Sequence, residues 1–156
     1  MTYEQLKLDN QLCFPVYAAS RLIIRQYQPH LDELGITYPQ YLVLMVLWEN
    51  DKIAVSEITN RLILNTNTIT PLLKRLETMG ILTRHRSPDD ERKVIVSLTD
   101  KGHELRHKAS RIPQQLIDGL KQEALPLQEL IELKQKLDKL IHYLKTDNNE
   151  TLKTDY

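Results

Sequence analysis

Cys13 is the only cysteine among 156 residues, and it is accompanied by seven tyrosines against a single phenylalanine. A thiolate is the form of cysteine that attacks peroxides, and a phenolic O–H can donate to a thiolate or to a peroxide oxygen. A cysteine with tyrosines brought to it can therefore support two-electron oxidation of sulfur. Tyr17 lies one helical turn beyond Cys13, and Tyr27 and Tyr38 frame the far end of the helix expected there. Within the first turns of that helix the free N–H groups and the positive end of the dipole favour the thiolate. The opposing reading is a small buried hydrophobe, with each tyrosine simply serving a wet interface.

Helix geometry limits which of these residues can meet. Fourteen helical residues separate Cys13 from Tyr27, a rise of roughly 21 Å at about 1.5 Å per residue, so the two cannot touch within one chain. If two copies of this helix pack antiparallel about a two-fold axis, Tyr27 and Tyr38 of one subunit arrive beside Cys13 of the other. Their hydroxyls can then donate to a thiolate or peroxide oxygen.

A second constellation is HELRH (103 to 107), which satisfies the H-E-x-x-H pattern of zinc hydrolases. His103 and His107, four residues apart on a helix, can share a metal, with the glutamate as base. No third ligand accompanies them, so a solvated helix face is the preferred reading and neither metal nor cofactor is expected. His30, His85 and His142 suggest no site by spacing.

The third constellation runs from Val55 to Gly102. VSEITNRL (55 to 62) places Val55, Ile58 and Leu62 at helical spacing. Asn65 can cap a second helix, TNTITPLLKRLETM, which Gly80 ends. Its core face is Ile69, Leu72, Leu73, Leu76 and Met79, leaving Thr66, Asn67, Thr68, Thr70, Lys74 and Arg75 pointing elsewhere. Short hydroxyl and amide side chains at a helix start reach base edges and phosphates in a major groove, while cations further along neutralise the backbone. An ordinary N-terminus followed by a solvated face would look the same. ILTRHR (81 to 86) and KVIVSL (93 to 98) read as two strands joined by the turn chemistry of Ser87, Pro88, Asp89 and Asp90. The hairpin carries Arg84, Arg86, Arg92 and Lys93 beside Asp89, Asp90 and Glu91. A salt-bridged surface turn is one reading. In the other, a carboxylate holds Arg92 extended so that its guanidinium enters a minor groove.

These segments are positioned by helices on either side. A first helix is expected from about Asp9 toward Leu34, ended by Gly35, with Leu12, Val16, Ile23, Tyr27, Leu31 and Leu34 as its stripe. Pro15 and Pro29 argue for a late start and a kink. Tyr38-Pro39 opens a second helix through Trp48. Thr99 starts another, interrupted at Pro113. Pro126 introduces the last, carrying Leu127, Leu130, Leu133, Leu137, Leu140, Ile141 and Leu144, and the tail after Lys145 is expected to be frayed. The flanking helices bear more apolar surface than a small reader needs to cover itself. We therefore expect a homodimer in which 1–36 and 112–156 form the dimerisation region and 37–111 a winged helix-turn-helix domain, a mainly α fold with a small β-hairpin wing. Such a dimer suits double-stranded DNA with a pseudo-palindromic operator.

Composition agrees without deciding. The 21 basic and 21 acidic residues give no global basic field, but residues 55–99 hold seven Lys or Arg against five Asp or Glu, whereas residues 115–156 hold six against eight. No long apolar run, leader or lipidation motif is found, which leads us to expect a cytoplasmic protein with no membrane partner.

ITYPQY, TPLLKRLE, the DDER turn and SLTDKG together resemble the MarR (multiple-antibiotic-resistance regulator) family of dimeric winged-helix repressors, over nearly the whole chain. The resemblance implies that the helix after Asn65 is the recognition helix, that Arg92 is the wing-tip arginine, and that Asp90 orients it. LDNQLCF (8 to 14), followed by Tyr17, Tyr27 and Tyr38, is similar to the organic-hydroperoxide-sensing branch. There the cysteine is the peroxidatic sensor, and tyrosines of the partner subunit hydrogen-bond to it. With no second cysteine, the chain resembles the one-cysteine type, so a sulfenic acid at Cys13 would be completed by a low-molecular-weight thiol, a backbone nitrogen or further oxidation. Two other gates exist in such regulators: a small aromatic ligand, and zinc held by histidines on the helix after the wing. The second is weakened here because the start of the second helix offers Tyr38, Pro39 and Gln40 and no histidine. A thiol peroxidase would also use a reactive cysteine, but it would have no reason to carry a recognition helix and wing.

Overall fold

The structure, a computed structural model, describes residues 3–123 and 125–151. Residues up to Ile112 form one compact unit and those from Pro113 another.

The chain opens with two single 3-10 turns, Glu4–Leu6 and Leu8–Asn10, where a helix beginning near Asp9 was expected. Polar side chains stabilise the turns locally: the Asn10 amide donates to the Glu4 carbonyl at 2.7 Å, and that of Gln11 to the Gln5 carbonyl at 2.7 Å. Helix α1 then runs Cys13–Leu34. Pro15 is its third residue, where the missing N–H would have had no intrahelical partner, and this accounts for the late start. The helix continues through Pro29 and ends at Gly35, whose φ of 70° lies in the left-handed region.

Helix α2 (Tyr38–Glu49) is capped by Thr37 and Gln40, the Thr37 N–H donating to the Gln40 side-chain oxygen at 2.8 Å. Strand β1 (Ile53–Ala54) and helices α3 (Val55–Leu62) and α4 (Thr66–Thr78) follow. Strands β2 (Leu82–Arg86) and β3 (Val94–Leu98) then form the hairpin, leading to α5 (Asp100–Ala109) and α6 (Ile112–Glu123). Helix α7 spans Leu127–Thr151, so it carries six residues beyond Lys145 that were expected to fray, while the last residues of that tail lie outside the described ones. The hairpin has a further partner that sequence reading did not find. β1 pairs antiparallel with β3, Ile53 opposite Val96, giving the order β1-β3-β2.

The core of the first unit draws on every layer: Leu31 of α1, Tyr41, Val43, Leu44 and Leu47 of α2, Ile58, Ile69, Leu73, Leu76, Leu82 and Val96. The stripe of α1 divides along its length. Tyr27, Leu31 and Leu34 pack into this core, whereas Leu12, Val16 and Ile23 remain exposed. In the second unit Leu127, Leu133, Leu140, Ile141 and Leu144 of α7 are exposed as well. Apolar rows of this length on the surface of a single chain mark an interaction face.

Candidate nucleic-acid interface and redox site

The start of α4 is built by its own polar residues. Asn65 has extended backbone, and its side-chain oxygen accepts from both the N–H and the hydroxyl of Thr68 at 2.9 Å. Thr70 donates its hydroxyl to the Thr66 carbonyl at 2.8 Å. Ile69, Leu73 and Leu76 are buried beneath, so Thr66, Asn67 and Thr68 are turned outward. Gly80, at φ 68°, closes the helix: its N–H reaches the Glu77 carbonyl, and that of Ile81 reaches the Leu76 carbonyl.

The hairpin turn is closed by Ser87 N–H to the Lys93 carbonyl and Lys93 N–H to the Asp90 carbonyl, both 2.9 Å. Asp90 then accepts from Arg92 three times: from the backbone N–H and Nε at 3.1 Å, and from Nη2 at 3.4 Å. These bonds to Arg92 hold the Asp90 carboxyl below the usual carboxylate range. The Arg92 side chain is 91% exposed even though one edge of its guanidinium, Nε and Nη2, is held by Asp90.

A groove of about 580 Å³ lies between the wing and the two short helices. It brings together Thr66 and Thr70 with Arg84, Asp90 and Arg92, and adds Ser56 and Thr59 of α3. Those two hydroxyls were missed in the sequence, although their i, i+3 spacing beside the buried Ile58 places them on one polar face. Lys74 and Arg75 are not part of this groove. They line a separate hollow of about 430 Å³ with Thr37, Gln40 and Thr78. Arg86 is exposed, with Nη1 3.5 Å from the Glu91 carbonyl. Arg84 is committed within the chain: Glu77 accepts its Nε at 3.1 Å, its Nη2 at 2.5 Å and its backbone N–H at 3.1 Å. The same pairing lowers the Glu77 carboxyl below its ordinary value.

Cys13 is the first residue of α1 and is exposed. One turn on, Tyr17 accepts a hydrogen bond from Arg21 Nη1 at 3.2 Å, and the same guanidinium lies 5.6 Å from the ring centre. At the other end of α1, Tyr27 packs on Tyr38 with ring centres 5.1 Å apart. The structure therefore gathers Tyr27 and Tyr38 into one cluster, at the end of α1 remote from Cys13. Tyr41 and Trp48 extend it, with centre separations of 5.9 Å from Tyr27 to Tyr41 and 6.0 Å from Tyr41 to Trp48. The i, i+3 pair within YPQY was the signal for Tyr41.

Burial pushes the Tyr27 and Tyr38 phenols up, and pushes Tyr41 to about 12. All three are protonated donors at neutral pH. Because the folded values exceed the ordinary 10.0, this contribution to stability is complete below about pH 10 and is lost as pH rises through the folded values. Thermal unfolding of Tyr41→Phe should accordingly show a shallower alkaline loss of stability than wild type above about pH 10. Identical alkaline profiles would contradict it.

His103 and His107 are both exposed on α5. His103 Nε2 lies 3.6 Å from Asp51, whose other oxygen accepts the Leu98 N–H at 2.8 Å. Among the described residues no group of three or more His, Cys, Asp or Glu could hold a metal ion. Substituting His103 or His107 by alanine is expected to leave operator binding and peroxide response intact with zinc present. Stoichiometric zinc binding lost in either variant would revive a metal-sensing role.

Residues 25–109 match the family model described as transcriptional regulator SarA/Rot. The chain is 44% identical, over 94% of its length and 97% of the relative's, to the organic hydroperoxide resistance transcriptional regulator of Bacillus subtilis (strain 168). Among solved structures it is similar to reduced AbfR bound to DNA (TM-score 0.73, 38% identity, 90% of this chain and 96% of that one). It is also similar to the transcriptional repressor CouR bound to a 23-mer DNA duplex (TM-score 0.78, 25% identity, 90% and 99%). The Asn65-capped helix α4, the hairpin whose Arg92 is held by Asp90 and these relatives agree, and the chain belongs to the MarR family of winged-helix transcriptional regulators.

Proposed function

We propose that the chain is a homodimeric, DNA-binding transcriptional repressor that releases its operator when Cys13 is oxidised by an organic hydroperoxide. The observation that carries the reading is an exposed, solitary cysteine at the first residue of α1. It occurs in a chain that matches, over 94% of its length, a regulator named for organic hydroperoxide resistance. The Cys13 thiolate attacks the distal peroxide oxygen. An S–O bond forms, the O–O bond breaks, and the departing alkoxide takes a proton to leave as the alcohol. A low-molecular-weight thiol can then condense with the sulfenic acid, giving a mixed disulfide and water.

Dimerisation through residues 1–36 and 112–156 would cover the exposed apolar rows of α1 and α7. With the first helices antiparallel, it would deliver Tyr27 and Tyr38 of one subunit to Cys13 of the other. Thr66, Asn67, Thr68 and Thr70 read the major groove, and Arg92, oriented by Asp90, reaches the minor groove. Lys74, Arg75 and Arg86 supply backbone charge. Cys13 acts stoichiometrically, as a switch in a cytoplasmic regulator and not as a turnover catalyst.

An operator gel shift with and without a lipid-like hydroperoxide, with intact-protein mass on the same sample, tests the reading. Release should accompany a mass gain of one oxygen or one thiol adduct per chain. DNA release without a mass change, or catalytic consumption of peroxide with a thiol reductant, would overturn it.

A further inference from the structure

We propose that Arg84 is a positioning residue: with Glu77 it clamps the wing to the recognition helix and sets the angle at which Arg92 is presented to DNA. This rests on the reading that the wing enters a groove and is independent of the redox chemistry.

Glu77 lies near the end of α4 and Arg84 in the middle of β2, opposite Val96 of β3. β2 is an edge of the sheet, and an edge strand has backbone N–H groups with no strand to receive them. The Glu77 carboxylate takes one of these, the Arg84 N–H, on Oε1 and holds the guanidinium of the same residue on Oε2. One carboxylate thus fixes both the strand and its side chain to the recognition helix. A planar guanidinium on a carboxylate fixes orientation as well as distance.

The exposures separate the two arginines. The Arg84 side chain is 23% exposed and its carboxylate is part-buried, whereas Arg92 is 91% exposed. Both guanidinium groups have a carboxylate partner, but the Arg84–Glu77 pair is set into the chain whereas Arg92, paired with Asp90, keeps most of its side chain in solvent. Beyond Arg84 the hairpin projects for about five residues, roughly 17 Å at about 3.3 Å per residue. A tilt of about 10° at the clamp would therefore carry the tip by about 3 Å, enough to take a guanidinium out of hydrogen-bonding range.

The test uses the full-length protein and a duplex selected by the wild type from a random pool, so failure of DNA recognition itself shows at the selection step. Glu77→Gln removes a negative charge beside DNA and frees a cation. If Arg84 were a phosphate contact, binding would tighten or stay the same. The clamp gives the opposite sign, a loss of roughly tenfold. Arg84→Lys keeps the charge but not the fork, so a phosphate contact would tolerate it, whereas the clamp loses a similar factor. The decisive readout is a double-mutant cycle. In an Arg92→Ala background, Glu77→Gln should lose almost nothing further, because the arginine it positions is gone. A general structural defect would add in full. Thermal unfolding of each variant establishes that the protein is folded at the assay temperature; should Glu77→Gln fail there, Arg84→Lys carries the same cycle. Tighter or unchanged binding in both single variants, or full additivity with Arg92→Ala, would overturn the proposal.

Discussion

Replacing Cys13 by serine is expected to leave operator binding intact and to abolish the response to organic hydroperoxide. Serine keeps a small polar side chain at the exposed first residue of α1, so the fold has no reason to change. No other cysteine is present to take over the chemistry. The measurement is operator occupancy against hydroperoxide concentration. A Cys13→Ser protein that still releases DNA would point to a ligand-gated relative instead.

The same variant tests architecture. Tyr27→Phe keeps the ring packed against Tyr38 and Tyr41 but deletes the protonated donor, so Cys13 oxidation should slow while the dimer persists. In a heterodimer of one Cys13→Ser subunit and one Tyr27→Phe subunit, the only thiol faces the intact tyrosine across the two-fold. It should react at the wild-type rate. A rate as slow as that of the Tyr27→Phe homodimer would reject the antiparallel cross-subunit site.

Arg92→Ala carries the second large effect. The side chain is almost wholly exposed and makes its side-chain bonds to Asp90, so truncation removes little from the fold. If the guanidinium enters a groove, operator affinity should fall by on the order of 1 to 3 kcal/mol, and the salt dependence of binding should lessen because fewer counterions are released. Asp90→Ala should weaken binding less, because it frees the arginine without removing it. Equilibrium titrations at several salt concentrations check both. Unchanged affinity in Arg92→Ala would remove the wing tip from recognition.

What could be read from the sequence followed how local each signal is. The Asn65 cap, the Gly35 and Gly80 stops and the Asp90–Arg92 turn depend on residues a few positions apart, and each appears in the structure where the sequence put it. Long-range partners were not legible. β1 is two residues long, too short to show alternation, and exists only because β3 lies beside it. Arg84 looked like one more cation of the hairpin because its carboxylate lies seven residues back in another element. The helix expected from Asp9 gave way to side-chain-closed turns, because Pro15 allows a helix to begin just before it but not to pass through it comfortably.

Gly102 has a mechanical consequence. A Cβ there would stand 2.3 Å from the Ile81 carbonyl oxygen and 3.0 Å from Leu98. The backbone of α5 therefore bears directly on the chain leaving α4. Thr99 and Lys101 tie the same two segments together through the Gly80 and Met79 carbonyls, and Trp48 holds the Gly102 carbonyl at 3.0 Å. A side chain between two helices can change rotamer and absorb small displacements; a backbone pressed on backbone has no such slack. The junction leaves no room for any side chain at position 102, so replacing Gly102 by even alanine would push the first turn of α5 away from the chain that leaves α4.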